Sequence, residues 1–231
     1  MVKIMELLTK VIEQIEKDNP YKLVFKGGTA LSILYLNHHR ESEDLDFDAD
    51  IKYLEDYKDI QDYFIGLFEG LKRDNIIMDY KIGKTGLAKT NRFHMKIQFI
   101  SYKTFHTKLD IDFIEPSDKL KQRGELLFYS IERMFTSKVI TFTERQEFKD
   151  FIDIAYMLPK IDFTVYDNKM KLAELLLRMI DTVDEKSLIA RYDLLSRNVD
   201  LKARGLRKGD IYRLIERTFR DIRATINTLK R

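Results

Sequence analysis

The stretch that most restricts this chain is Lys26 to Asp48, KGGTALSILYLNHHRESEDLDFD. Leu23 to Phe25 reads as a short buried strand and Gly27-Gly28 as a turn. Thr29 to about Asn37 reads as a helix, and Asp44 to Asp48 as a strand alternating charged and apolar residues. Glycine lets the backbone take positive φ and come close to a phosphate. The first turn of the helix that follows points unpaired N–H groups and its positive dipole end at the same place, and Thr29 adds a hydroxyl. On the strand, Asp44 and Asp46 share one face while Leu45 and Phe47 face a core. Two carboxylates side by side repel unless a cation lies between them, and Mg²⁺ prefers oxygen ligands of this kind. Each half of the pattern alone is commonplace, a tight turn or an acidic surface; their succession in one short segment is not.

The flanks fit a mixed fold. Ile4, Leu7, Leu8, Val11, Ile12 and Ile15 recur at helical spacing, and Asn19-Pro20 ends that helix. Leu54 to Leu71 outlines a longer helix. Ile76–Ile82, Arg92–Ser101 and Thr107–Ile114 read as strands, with Gly83 to Asn91 as a loop. Asp110 and Asp112 share the polar face of the last strand, and one of them could complete a metal site with Asp44 and Asp46. Glu115-Pro116-Ser117 punctuates this half, and everything after about Lys119 reads as helix. Ile131 to about Phe142 is one. Thr143 with Gln146 suggests a capping box opening the next, which Pro159 stops. Lys169–Thr182, Lys186–Leu195 and Lys208–Lys230 follow. The expectation is therefore an α/β domain over residues 1–118 and an α-helical bundle over 119–231, with the active cleft between them.

Composition excludes several classes. There is no cysteine, hence no disulfide, thiolate metal site or cysteine nucleophile. His38, His39, His94 and His106 lack metal-ligand spacing and read as structural or surface groups. The N-terminal stretch lacks signal-peptide features, and no run reaches the roughly 18 apolar residues of a membrane span. A cytoplasmic location is expected. The net charge of +3 is small, but residues 191–231 carry twelve Lys/Arg against five Asp/Glu. That asymmetry suits an anionic partner, or simply solvated helices.

Strand, Gly-Gly-Thr, helix and Asp-x-Asp together resemble the DNA-polymerase-β-like nucleotidyltransferase superfold. KGGTALS followed by Ser42-Glu43-Asp44-Leu45-Asp46 more closely resembles the AbiEii/AbiGii-type nucleotidyltransferase toxin family, which includes type IV toxin–antitoxin and MenT-like tRNA-modifying toxins. Lys138, Arg145 and Lys149-Asp150-Phe151-Ile152-Asp153 are similar to that family's later block, with Lys149 in place of the usual arginine. Arg40-Glu41-Ser42 departs from its usual Arg-Phe-Ser. The resemblance covers about residues 20–50 and 105–158, and the last seventy residues match no motif.

It implies metal-dependent transfer of a nucleotide from an NTP to an acceptor hydroxyl, with release of pyrophosphate. Lys26, Gly27, Gly28, Thr29, Ser42 and Lys138 would bind the nucleotide. Asp44, Asp46 and Asp110 would hold Mg²⁺ or Mn²⁺, and Asp150 would serve as base or support the metal. The expected acceptor is RNA, most simply the 3′ end of tRNA, with the basic C-terminal helices on its backbone and a cognate antitoxin as possible partner. Two alternatives stay open: a non-catalytic NTP- or GTP-binding component acting through a protein partner, and transfer onto protein.

Overall fold

A computed structural model describes residues 3–115, 119–195 and 208–230. Its contacts divide into two compact units, Met1–Ile33 with Ser42–Ser130 and Leu34–Glu41 with Ile131–Arg231.

The first unit is built on a mixed sheet of seven strands: β1 (Val24–Lys26), β2 (Leu45–Asp50), β3 (Asp79–Ala88), β4 (Arg92–Ile100), β5 (Thr104–Ile114), β6 (Leu120–Arg123) and β7 (Leu126–Tyr129). Their spatial order is β3-β4-β5-β2-β1-β7-β6. β2 runs parallel to β5 and β1 parallel to β7, while β1–β2, β3–β4, β4–β5 and β6–β7 are antiparallel. Strict alternation decides the faces. Phe47, Phe93, Met95, Ile97, Phe99, Leu109 and Ile111 are buried on one. Helix α3 (Tyr57–Arg73) covers that face through an aromatic chain: Phe25 stacks on Phe47, Phe47 meets Phe64, and Phe68 meets Phe99 edge-on at 5.1 Å. Helix α1 (Ile4–Ile15) packs beside α3 by its apolar stripe, as its periodicity predicts. The carboxylates fall on the opposite face.

Two corrections concern this sheet. The stretch after Lys119 opens with the β6–β7 hairpin, and helix begins only at Ile131. Gly124 turns that hairpin with φ +58°, packed so closely on the Glu16 carbonyl that no side chain fits there. Second, Gly83 to Ala88 is not a loop but the continuation of β3, whose pairing with β4 shifts register between Ile82 and Thr85. Two glycines in a lysine-rich run hide such a bulged strand from periodicity.

The second unit holds α4 (Ile131–Arg145), α5 (Phe148–Met157), α6 (Lys169–Thr182), α7 (Glu185–Leu195) and α8 (Lys208–Leu229). Phe135, Phe142, Phe151, Leu176 and Phe219 lie in its interior. No capping box forms at Thr143. That residue is in the last turns of α4, its hydroxyl donating to the Val139 carbonyl, and Gln146 takes φ +55° to break the chain between α4 and α5.

Candidate functional site

β1 ends at Lys26, and the chain turns at Gly27 into helix α2 (Gly27–Leu34). Gly27 has φ +79°, and a Cβ there would collide with Asp46 Oδ2. The glycine is thus required twice, by its backbone angle and by the carboxylate against it. The bend and Asp46 are neighbours, as expected from the sequence. Gly28 and Thr29 are buried at the start of α2. Thr29 hydrogen-bonds the Asp44 carbonyl and lies 2.9 Å from Ser42 Oγ. A carbonyl has no proton to give, so Thr29 donates to Asp44 and accepts from Ser42. Thr107 likewise hydrogen-bonds the Glu43 carbonyl. Two threonines and Ser42 therefore fix the backbone that aims Asp44.

Parallel pairing of β2 with β5 sets Asp46 beside Asp110 and Asp48 beside Asp112. The two rows are neutralised differently. The Lys26 ammonium sits between Asp48 and Asp112, at 2.6 Å from the latter. Arg92 Nη2 adds a bond of 2.9 Å to Asp112, and the Tyr129 hydroxyl one of 2.6 Å to Asp48. Burial works against the Asp112 charge, but Arg92 and Lys26 outweigh it and hold that carboxyl below the usual range. Burial similarly opposes the Lys26 charge, and Asp48 and Asp112 still raise its pKa.

The other row has fewer cations. Lys108 Nζ lies 2.9 Å from Asp110 Oδ2 and 3.7 Å from Asp44 Oδ2. The Asp46 carboxyl is pushed up, first by burial and then by Asp44, with Asp110 adding to it; Lys108 and Lys26 offset this only in part. Asp110 and Asp112, the two candidates open in the sequence, differ in their ion-pair partners. Asp112 is satisfied by two protein cations, whereas Asp110 stands with the crowded Asp46 and Asp44. Lys108, which the sequence reading passed over, sits two residues before Asp110 on the same strand face, and that alternation is the signal for it.

The donor chemistry of Asp44, Asp46 and Asp110 suits a hard divalent cation: carboxylate oxygens only, crowded enough to raise the Asp46 pKa, with Asp44 and Asp110 sharing the Lys108 ammonium. Among the described residues, however, no three carboxylate or imidazole side chains stand close enough together to hold an ion as they are.

The later block forms a cluster inside the second unit. Lys138 Nζ lies 2.8 Å from both Asp150 Oδ1 and Asp153 Oδ2. Arg40 binds Asp153 with two nitrogens, at 2.6 and 2.8 Å, and Arg145 binds Asp150 with two, at 2.8 and 3.0 Å. Both aspartates are fully buried. Burial disfavours the charge of each, yet for Asp153 the Lys138 and Arg40 charges, and for Asp150 Arg145 and Lys138, leave the carboxyl below its ordinary value. His39 Nε2 is 2.7 Å from Asp153 Oδ1. Burial pushes its pKa down, and the neutral ring donates that bond to the carboxylate, its buried Nδ1 having no hydrogen-bond partner among the described residues. Lys149 pairs with Glu147 at 3.1 Å. The sequence reading missed Arg40 and His39 as partners of Asp153, because 113 residues separate Arg40 from that carboxylate.

The model of the nucleotidyl transferase AbiEii toxin, type IV toxin–antitoxin system, matches residues 15–227. The chain belongs to the AbiEii family. Solved structures similar to this AbiEii-family chain include JHP933 from Helicobacter pylori, with a TM-score of 0.68 and 19% identity, covering 97% of this chain and 91% of that one. An H. pylori protein assigned as a nucleotidyltransferase gives a TM-score of 0.70 at 17% identity, covering 98% of this chain and 95% of that one. At these identities the likeness concerns the fold, a mixed α/β architecture shared along nearly the whole AbiEii-family chain. No curated protein matches it. Among the described residues no helix is long and apolar enough to cross a membrane.

Proposed function

We propose that the chain transfers a nucleotidyl group from an NTP to an RNA hydroxyl, the 3′ end of tRNA being the foremost acceptor, in a reaction that needs Mg²⁺ or Mn²⁺. The observation that carries this is the Gly27 bend set directly against Asp46, in register with Asp110. The bend and the first N–H groups of α2 would receive the β- and γ-phosphates. Thr29 and Ser42 would act through Asp44, by holding its backbone, rather than on the phosphate. Lys26 neutralises the Asp48–Asp112 row, so the charge of the metal-facing row stays separate. Asp44, Asp46 and Asp110 would hold the cation. When bound, it would neutralise charge developing on pyrophosphate and sharpen the attacking oxygen. Lys138, expected to clamp the nucleotide, and Asp150, expected as base, are instead engaged inside the second unit, where the Lys138 ammonium pairs with both Asp150 and Asp153. Arg213, Arg217 and Arg220 line a groove of about 780 Å³ beside Tyr156 together with Glu185, Asp210 and Glu216, and Arg217 would be the first of them offered to a backbone phosphate, since Arg213 pairs with Asp210 and Arg220 with Asp221. A type IV antitoxin would complete the system.

The test is incubation with each α-phosphorus-labelled NTP and total RNA, read on a gel. Wild type should label a small RNA, and Asp46→Asn should fall to background while keeping the wild-type melting curve. Equal labelling by that variant would end the mechanism. A second reading, nucleotide binding without transfer, is favoured by the three carboxylates not standing in one ligand shell. Tight NTP binding with no labelled RNA or protein would select it.

A further inference from the structure

The polar face of the sheet continues past the carboxylates onto β5, β4 and β3. There a groove of about 400 Å³ runs from Glu43, Asp44 and Lys108 at its acidic end over Lys96, Gln98 and His106 to Gly83. Lys96 pairs directly across from Lys108, and Gln98 from His106. Lys108 is matched by Asp110 and Asp44. Lys96 has no ion pair among the described residues and is exposed. Asp110 and Asp44 take up the Lys108 charge, so on this row Lys96 is the ammonium left to meet an anion. The next row offers an amide and an imidazole, 3.5 Å apart, both able to give and take hydrogen bonds at a base edge. Gly83 keeps the far wall open, because a Cβ there would stand 3.3 Å from that of Lys96.

Reaction geometry gives this groove its occupant. Phosphoryl transfer runs with attacking and leaving oxygens in line on opposite sides of phosphorus. Strand order places the Gly27 bend on the β1 side of β2, and the groove on its β5–β4 side, with Asp46 and Asp110 between. If pyrophosphate leaves toward the bend, the acceptor hydroxyl arrives over the groove. We infer that the β3–β4–β5 face seats the unpaired 3′-terminal nucleotides of the acceptor RNA, with Lys96 on a phosphate and Gln98 and His106 on base edges; this rests on the transfer reading above. The hydroxyl oxygen forms the new bond to the α-phosphorus and its proton passes to water. The bond from that phosphorus to the bridging oxygen breaks, and pyrophosphate departs with the electron pair. Single-stranded RNA ends are read in this way, by exposed base edges beside a cationic track.

The experiment uses the full chain and a short oligoribonucleotide with 4-thiouridine at its 3′ end. Irradiation should crosslink that residue to a tryptic peptide from β4 or β5. In anisotropy titrations, Lys96→Glu should weaken binding and lower the salt slope by about one, Gln98→Ala should weaken it less, and Lys96→Arg should restore it. NTP binding should stay unchanged in all three. Crosslinks confined to α8, RNA affinity unaltered by Lys96→Glu, or no RNA binding by wild type would each overturn the proposal. RNA binding that depends on Lys96, with no nucleotide transferred by wild type, would leave the groove standing and sink the transfer reading instead.

Discussion

At the residue scale, the side chain on which most depends is Asp153. It is fully buried and takes bonds from Arg40, Lys138 and His39. Removing one partner of a buried charge cluster leaves the others uncompensated, typically costing about 3–5 kcal/mol. Asp153→Asn should therefore lower stability by that order in urea titrations at pH 7. The pH dependence follows from sign. Lys138 and Arg40 hold the Asp153 carboxyl below its ordinary range in the folded chain. Its contribution is then complete above the unfolded value, about pH 4, and is lost as pH falls toward the folded one. The gap between wild type and Asp153→Asn should narrow steadily below about pH 4; a constant gap from pH 7 to pH 3 would contradict the assignment. The acidic pattern at 44–48 and 110–112 was legible because strand alternation writes it into adjacent residues. Arg40 and Lys108 were not, since a cation on a surface and a cation on a carboxylate look alike until the chain is folded.

At the element scale, the β6–β7 hairpin was the least legible feature. Leu120 to Tyr129 is too short for alternation to stand out, and only the two-residue Gly124-Glu125 link between Arg123 and Leu126 marks a tight hairpin turn. Its role is large for its size, because β7 pairs with β1 on the flank away from β2 and carries Tyr129 onto Asp48. Gly124→Val faces both a positive φ and the Glu16 carbonyl. It should destabilise by about 2 kcal/mol or more. Thermal melts should show this, with loss of hydrogen-exchange protection spreading from β7 to β1. The long amphipathic helices, by contrast, were readable within a few residues, since their period depends only on the chain itself.

At the scale of the whole molecule, chain order and contact order diverge. Leu34–Glu41 lies in sequence between α2 and the aspartate strand, yet its contacts belong with the helices that begin at Ile131. The expectation of one clean cut near residue 118 could not contain this, because nothing local in LYLNHHRE announces a distant partner. A fragment of residues 131–231 made alone would bury Asp153 and Lys138 without Arg40 or His39. It should be protease-sensitive with a broad melt, and adding a synthetic peptide spanning 34–41 should sharpen that melt. A cooperative, resistant fragment without the peptide would refute this. The same thread governs any attempt to recombine relatives. A chimera that exchanges only the segment after Ser130 would inherit a mismatched clasp, whereas one that also imports those eight residues would keep donor and clasp together, so productive crossovers belong on either side of it and never within.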